Sequence, residues 1–169
     1  PGSGCQSDQA RLFNPKHHRI ILFDQRGAGR SQPKRKLENN TTAHLVGDME
    51  LIRQSLEIDR WLLVGGSWGS TLALAYAETH PNKVLGMVLR AVFLGSPEEV
   101  NWAFISGPQI FYPDLWQHFI SLLPESERDD PITAYGTRLS DQDPRVHLPT
   151  AQAWNKYESS LSALDPGPL

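Results

Sequence analysis

Short apolar runs alternate with amphipathic stretches in the first half of the chain. The runs Arg19–Phe23, Trp61–Val64 and Val84–Leu89 are continuous and bounded by polar or glycine-rich turns, which predicts buried parallel strands. Between them, apolar residues recur every three or four positions from Thr42 to Leu56, and Thr42 is the predicted cap of that helix. A second helix is predicted over Thr71–Thr79. This alternation predicts a parallel sheet with right-handed crossovers.

The pattern changes after Gly95. Strand alternation disappears, prolines recur, and aromatic residues cluster between Trp102 and Phe119. Such a segment predicts a helical cap with irregular connections, of the kind that covers an α/β site. We therefore expect an α/β fold in two parts, a partial core over 1–95 and a helical cap region over 96–169, with a frayed end at Leu164–Leu169.

The most informative motif lies where the second predicted strand meets the second helix. Gly65-Gly66-Ser67-Trp68-Gly69 has the Gly-x-Ser-x-Gly spacing that is typical of a nucleophile elbow. Gly65 and Gly69 are expected to remove Cβ atoms that would clash at the turn. Ser67 is then expected at a helix N-terminus, where free backbone N–H groups favour an oxyanion. The alternative is a glycine-rich turn with an idle serine.

Three polar residues, Asp24, Gln25 and Arg26, directly follow the first predicted strand. In one interpretation their role is structural: Asp24 and Arg26 pair with each other, or tie the Gly27-Ala28-Gly29 turn to the sheet edge. In the other they line the floor of an active site, because α/β sheets bind ligands at the carboxyl ends of their strands. The glycine spacing of the turn does not fit a phosphate-cradling loop.

These blocks resemble the proline iminopeptidases, which are serine aminopeptidases of the α/β-hydrolase superfamily. Asp24–Ser31 is similar to a block that follows an early core strand in that family, and Gly65–Leu74 is similar to its nucleophile block. Pro1–Gly4 resembles the tail of the family's His-Gly-Gly-Pro-Gly loop. Asp114–Trp116 and Trp154–Glu158 resemble landmarks of its cap domain. The resemblance therefore extends over nearly the whole chain.

The resemblance implies acyl transfer from an N-terminal proline. Ser67 would attack the carbonyl carbon while a histidine takes its proton, and the acyl-enzyme would then be hydrolysed. The backbone N–H of Trp68 and one from the loop just before Pro1 would hold the oxyanion. In this superfamily the triad acid and histidine follow the nucleophile. The residues after Ser67 resemble a cap for most of their length, so we expect an internal fragment that is inactive by itself.

The resemblance also implies substrate contacts. Glu158 would receive the charged N-terminus of the substrate, because a desolvated carboxylate distinguishes an ammonium group from an internal amide. The preceding Tyr157 stands where the family's Trp-x-x-Trp pattern has its second tryptophan. Phe93 and Phe104 would form an apolar wall against the proline ring, and Gly2 would contact substrate from the oxyanion loop. The alternatives are an exposed Glu158, paired with a neighbour or unpaired, and ordinary core packing of the phenylalanines.

Composition narrows the partners and the compartment. The net charge of −3 gives no electrostatic reason to expect nucleic acid or an anionic membrane. No apolar run approaches the ~20 residues that span a bilayer. The six histidines lack the spacing of a metal site, and we expect no metal and no cofactor. The single cysteine, Cys5, fits a cytoplasmic location.

Three functions remain open on sequence grounds. The first is a serine aminopeptidase that acts on peptides with N-terminal proline, and the second is an esterase or amidase of the same fold. The third is a non-catalytic, truncated product that binds a partner, or a second copy of itself, through an exposed sheet edge. A triad Asp and His following the nucleophile would distinguish the enzymes from the third class.

Overall fold

A computed structural model of the protein describes residues 2–163. Pro1 of the proposed oxyanion loop and the predicted frayed end at Leu164–Leu169 lie outside the described residues. The chain divides into two compact units, the first ending at Gly95 and the second beginning at Ser96.

The first unit is a parallel strand pair with helices. Its two strands are hydrogen-bonded to each other in parallel, with Leu63 opposite Met87, and the helix between them forms the crossover. The parallel pairing predicted for these two runs is therefore confirmed. In chain order the elements are a 3₁₀ turn at Ser7–Leu12, α1 at Thr42–Ser55, β1 at Trp61–Ser67, α2 at Trp68–Thr79, a 3₁₀ turn at Pro81–Lys83 and β2 at Val84–Val92.

Several predicted boundaries need correction. Thr41, not Thr42, caps α1, because its hydroxyl oxygen accepts a hydrogen bond from the His44 amide at 3.4 Å. α2 starts at Trp68 instead of Thr71, because Ser67 itself is the cap residue. Both strands run three residues further than predicted, since the ladder between them continues through the glycines.

The predicted strand Arg19–Phe23 is wrong: these residues have no regular secondary structure. Phe23 still packs against the core of the unit, and the Arg19 guanidinium donates to the Leu56 carbonyl oxygen at 3.0 Å. A strand needs a neighbouring segment to supply ladder hydrogen bonds. Within the described part of the chain, no backbone hydrogen bond reaches this run. Apolar character therefore predicted partial burial here and could not predict pairing.

The core of the first unit is formed by the apolar stripe of α1, the inner face of β1 and one side of α2. Its buried side chains are Leu45, Val46, Met49, Leu63, Leu72, Ala73 and Tyr76. On β1, Leu63 is buried whereas Leu62 and Val64 are 42% and 48% exposed, and Val88 on β2 is 50% exposed. One face of the sheet is therefore packed, and the other is open among the described residues.

A buried polar network joins α1 to α2. The Glu50 carboxylate accepts from the Tyr76 hydroxyl at 2.8 Å and pairs with the Arg53 guanidinium at 2.6 Å. Arg53 also donates to the carbonyl oxygens of Ile58 and Asp59, which begin the approach to β1. The hydrogen bonds from Arg53 hold the pKa of Glu50 well below its usual range, and burial raises the pKa of Tyr76 to about 12.

The second unit consists of helices throughout its described part. They are α3 at Pro97–Asn101, a π-helical turn at Trp102–Ser106, α4 at Gly107–Phe111, α5 at Pro113–Ser121, a 3₁₀ turn at Glu125–Glu127, α6 at Pro131–Leu139 and α7 at Pro144–Leu161.

Four of the recurring prolines start helices of the second unit. Pro97, Pro113, Pro131 and Pro144 are each the first residue of a helix. Proline is favoured at that position because the first helical N–H has no partner within the helix. Carboxylate or hydroxyl caps reinforce three of these starts, as where Asp130 accepts from the Thr133 amide at 3.2 Å.

Stacked aromatic rings form the centre of the second unit. The Phe119 ring lies between those of Tyr135 and Tyr157, with ring centroids 4.2 and 3.8 Å apart and nearly parallel planes. Both phenol hydroxyls donate to backbone carbonyl oxygens. The Tyr135 hydroxyl donates to the Phe119 carbonyl oxygen at 3.0 Å, and the Tyr157 hydroxyl donates to that of Phe104 at 2.8 Å. The rings therefore fix α5, α6 and α7 around one point.

The network at Glu50 generates a stability prediction. Glu50→Gln leaves Arg53 without its charged partner and weakens the bond from Tyr76, so the free energy of unfolding should fall by about 1.5–3 kcal/mol at neutral pH. Because the folded-state pKa of Glu50 is depressed, its contribution is present above the unfolded pKa of about 4.3 and is lost as the pH falls below it. Urea titrations over that range measure both effects.

The matched control for Glu50→Gln is Asp59→Asn. The Asp59 side chain is 84% exposed, and within residues 2–163 its carboxylate pairs with Arg60 and Lys83 at the surface. Its substitution should change the unfolding free energy by no more than about 0.5 kcal/mol. Equal losses in the two variants would contradict a special role for the buried network.

Candidate active site

Ser67 lies on a strained turn between β1 and α2. Its φ of 53° and ψ of −124° belong to a region that non-glycine residues rarely adopt. The side chain is exposed and makes no capping hydrogen bond to the helix that follows it. The predicted placement of Ser67 at a helix N-terminus is confirmed, and the residue is accessible to solvent.

The turn is made possible by a close backbone approach at Gly65. A Cβ on Gly65 would overlap the Gly69 carbonyl oxygen and would lie within 2.9 Å of the Ser70 nitrogen. The expectation that Gly65 removes a clashing Cβ is therefore confirmed. The same expectation for Gly69 is wrong: a Cβ there would have no neighbour within 4 Å. Gly69 contributes its backbone to the contact, and the missing side chain matters only at Gly65.

Residues just after the elbow tie it to the end of β2. The Ser70 hydroxyl, which is fully buried, accepts from the Phe93 amide at 3.0 Å, and the Thr71 hydroxyl donates to the Phe93 carbonyl oxygen. Phe93 is thereby placed beside the start of α2 in the first unit. Sequence reasoning missed this role of Ser70 and Thr71, although two hydroxyl residues directly after the elbow glycine were the available signal.

The first turn of α2 presents backbone N–H groups next to Ser67. The first amides of a helix lack partners within it, and the helix dipole adds positive potential at that end. Trp68 is the first helical residue, and its indole nitrogen donates to the Gln25 side-chain oxygen at 3.4 Å. Gly2 has a φ of +88° and is exposed. The geometry around Trp68 suits an oxyanion donor.

Asp24 and Arg26 do not pair with each other, so that part of the structural interpretation is wrong. Arg26 forms a two-pronged pair with Asp48 on α1, at 2.6 and 2.7 Å. Asp24 accepts instead from the backbone nitrogens of Cys5 at 2.6 Å and Arg30 at 2.8 Å. Its carboxylate therefore joins the segment at Cys5 to the turn at Arg30.

Glu158 lies on α7 in the second unit. Its side chain is exposed, and no residue in the described range 2–163 forms an ion pair or hydrogen bond with its carboxylate. The preceding Tyr157 is 2% exposed and anchors the helix in the aromatic core. Because successive helical residues point about 100° apart, burial of Tyr157 leaves Glu158 on the surface.

Phe104 also belongs to the second unit and lies in the π-helical turn. Its ring is half-buried against Trp154, with centroids 5.4 Å apart, and its carbonyl oxygen accepts from Tyr157. The contacts of Phe104 therefore fit the alternative of ordinary core packing. The structure brings Ser67, Trp68 and Phe93 together in the first unit, and Glu158 and Phe104 belong to the second.

Among the described residues, no group of three or more His, Cys, Asp or Glu side chains is arranged to hold a metal ion. The hydrogen bonds formed by histidine rings in residues 2–163 go to other partners than Ser67. Within the same residues, no helix combines the length and apolar character needed to cross a bilayer.

A serine on a strained turn between a parallel strand and a helix is typical of the α/β hydrolases. The sequence profile of the alpha/beta hydrolase fold family matches residues 2–154, and the chain belongs to that family.

Three relatives show which members of the family the chain is similar to. The chain is 47% identical over 167 residues to "Proline iminopeptidase" of Arabidopsis thaliana, covering 98% of this chain and 44% of the relative. It is 48% identical over 164 residues to "Proline iminopeptidase" of Xylella fastidiosa strain 9a5c, covering 97% and 52%. "Probable proline iminopeptidase" of Leptolyngbya boryana is 46% identical over 164 residues, covering 97% and 51%. The chain thus spans about half the length of these relatives.

The two elbow glycines generate a prediction with opposite outcomes. Gly65→Ala places a methyl group inside the Gly69 carbonyl and should lower the free energy of unfolding of the first unit by roughly 3 kcal/mol or more. Gly69→Ala meets no atom and replaces glycine with the best helix former, so it should be neutral or stabilising by up to about 1 kcal/mol. Urea titrations of both variants test this; equal destabilisation would contradict the assigned contact.

Proposed function

We propose that Ser67 is the nucleophile of a serine hydrolase that releases N-terminal proline from peptides. The observation that carries the proposal is the elbow itself, in which an exposed serine at positive φ begins a helix directly after a parallel strand. Such strain persists where the surrounding structure enforces it and is typical of functional sites. The names of the relatives supply the substrate class.

The mechanism follows from the chemistry that the elbow can support. Ser67 attacks the carbonyl carbon of the N-terminal proline, the C–N bond to the next residue breaks, and the shortened peptide leaves as an amine that takes the serine's proton by way of the histidine. Water then hydrolyses the prolyl ester of Ser67, which releases proline and restores the hydroxyl. The developing oxyanion accepts from the backbone N–H of Trp68 at the start of α2. Each donor of this kind contributes about 3 kcal/mol to stabilising the transition state. A histidine within hydrogen-bond reach of the hydroxyl has to take the proton.

We assign Glu158 to recognition of the substrate's charged imino group. An exposed carboxylate without an ion pair in the described range is available for a cation, and a charge-assisted bond is worth about 1.5–3 kcal/mol. Phe93 and Phe104 are proposed as the apolar wall for the proline ring. The position of Phe93 beside the start of α2 supports its share of this role.

A second property is proposed for the 169-residue chain by itself: it is catalytically inactive, and it self-associates. Leu85 on β2 is 60% exposed, in addition to the open sheet face at Leu62, Val64 and Val88. Both edges of the two-stranded sheet lack a neighbouring strand within the described residues. Open apolar edges of this kind favour association. We also propose a cytoplasmic location, since Cys5 has no other cysteine in the chain with which to pair.

The nucleophile is tested in a chimera. The chain replaces the matched segment of the Xylella fastidiosa relative, which keeps its own flanking sequences. This chimera should react with a fluorophosphonate probe and hydrolyse proline p-nitroanilide, and Ser67→Ala should abolish both. Ser159→Ala, at an exposed serine on α7, is the matched control and should leave both unchanged. Undiminished labelling of the Ser67→Ala variant would show that another residue is the nucleophile.

The unmodified 169-residue chain forms the second arm of that experiment. It should show no turnover, and light scattering should give a mass above that of one chain. Turnover close to that of the chimera, lost on Ser67→Ala, would overturn the proposed inactivity. A monomeric mass would overturn the proposed self-association.

The assignment of Glu158 is tested in the same chimera. Glu158→Gln should lower kcat/KM for proline p-nitroanilide by roughly ten- to hundredfold while hydrolysis of a neutral p-nitrophenyl ester changes little. Glu125→Gln, at another exposed glutamate of the second unit, is the control and should leave both rates unchanged. Equal losses on amide and ester would point to a packing role for Glu158.

A further inference from the structure

The end of β2 departs from the regular ladder beside the elbow. Gly66 on β1 is opposite Arg90 on β2. The next residue of β1, Ser67, is opposite Val92, which leaves Ala91 as an extra residue on β2. Ala91 has a φ of 46°, in the left-handed region that non-glycine residues rarely adopt. A one-residue bulge of this kind shifts the alternation of the side chains after it and is common next to active sites.

Phe93 is the aromatic residue that the bulge redirects. In a regular strand Phe93 would share a face with Leu89, which packs against the core of the first unit. The extra residue shifts the alternation, so Phe93 no longer shares that face. Phe93 also comes directly after Val92, the last residue of the ladder. Its position is therefore set by contacts other than the pairing of β1 with β2.

Two hydroxyl groups in the first turn of α2 supply those contacts. The Ser70 hydroxyl accepts from the Phe93 amide at 3.0 Å and donates to the Ser67 carbonyl oxygen at 2.6 Å. The Thr71 hydroxyl donates to the Phe93 carbonyl oxygen. Ser70 is fully buried, so water does not compete for its hydrogen bonds. The backbone of Phe93 is thus held on both its N–H and its carbonyl group.

We propose that Ser70 and Thr71 are positioning residues for substrate selection. Together they fix Phe93 relative to Ser67, and so favour an acyl group that reaches from the nucleophile to that ring, the pyrrolidine of an N-terminal proline. This rests on the proposed function, in which Phe93 forms the apolar wall against the proline ring. Hydroxyls that only start a helix accept from amides of that helix. These two bond instead to a residue 22 and 23 positions later in the chain.

Thr71→Val isolates this role from the elbow. Valine keeps the branched shape of threonine and removes the hydroxyl, so the Phe93 carbonyl oxygen loses its donor. The bond from Ser70 to Ser67 stays in place. A wall that contacts the ring in both the ground state and the transition state contributes uniform binding. Its displacement should therefore raise KM and leave kcat nearly unchanged.

The experiment uses the chimera with the Xylella fastidiosa relative. Thr71→Val should raise KM for proline p-nitroanilide roughly tenfold, with kcat within about twofold. The acyl group of p-nitrophenyl acetate has no ring, so hydrolysis of that ester should change by no more than about twofold. Fluorophosphonate labelling of Ser67 should also persist, because the nucleophile is not displaced.

Two further substitutions of threonine serve as controls. Thr71→Ser keeps the hydroxyl and should restore the original KM. Thr79→Val makes the same chemical change on the same helix, at a hydroxyl that bonds to the Ala75 carbonyl oxygen within α2. It should leave both KM and kcat unchanged.

A double substitution distinguishes positioning from a general loss of stability. Phe93→Ala removes the ring and should raise KM by itself. Because Thr71 acts through that ring, adding Thr71→Val to Phe93→Ala should raise KM little further. Two independent effects would add instead.

Ser70→Ala is the second variant, for the case in which Thr71→Val does not fold. It releases the Phe93 amide and should raise KM in the same direction, with a fall in kcat because Ser70 also bonds to the Ser67 carbonyl oxygen. Hydrogen exchange at the Phe93 amide of the chimera should accelerate in Ser70→Ala and not in Thr79→Val.

The outcomes separate this inference from the proposed function. An unaltered chimera without proline amidase activity would remove the proposed function, and the positioning role would lose its basis with it. An active chimera in which Thr71→Val and Ser70→Ala both keep their KM would overturn the positioning role alone. Equal losses on the proline amide and the acetate ester, or loss of labelling in both variants, would likewise overturn it, because the hydroxyls would then hold the elbow and not the wall.

Discussion

The contact between Gly65 and the Gly69 carbonyl is the constraint on which the first unit depends. The strand and the helix can approach this closely only because Gly65 lacks a Cβ. The reversal of direction in so few residues forces Ser67 to a positive φ and turns its side chain outward. The same approach brings Ser70 under the end of β2, where its buried hydroxyl bonds to Phe93. One missing side chain thus determines the placement of the serine, the helix start and the neighbouring strand end.

Side-chain carboxylates hold in place those segments of the first unit that are not paired in the β-sheet. Residues 2–60, the described part of the chain before β1, contain one α-helix and otherwise no regular element longer than a 3₁₀ turn. Asp24 collects backbone amides from two segments, Asp48 receives the Arg26 guanidinium, and Glu50 receives Arg53 and Tyr76. Each anion satisfies several donors, and the Asp24 and Glu50 side chains are largely shielded from water. These hydrogen bonds and ion pairs hold the segments before β1 in place, as backbone hydrogen bonds between strands hold β1 and β2.

The structure could be predicted best from the sequence where residues close together in the chain determine it. The elbow was predictable because glycine acts within a few residues, and the pairing of β1 with β2 was predictable because a single crossover helix joins them. The strand predicted at Arg19–Phe23 failed because pairing depends on a neighbour, which no local pattern encodes. The partners of Asp24 and Arg26 were missed for the same reason: adjacent polar residues contact segments that lie far apart in the chain, and their order does not indicate which segment each one reaches.

The helix starts in the second unit bear on how such a chain diverges. Pro97, Pro113, Pro131 and Pro144 each mark where a helix begins, and a side-chain cap on the preceding residue reinforces three of these starts. A connection can then gain or lose residues without rotating the helix that follows, so the aromatic stack around Phe119 keeps its alignment. The shape of the surface that the helices present can change while their common centre stays the same.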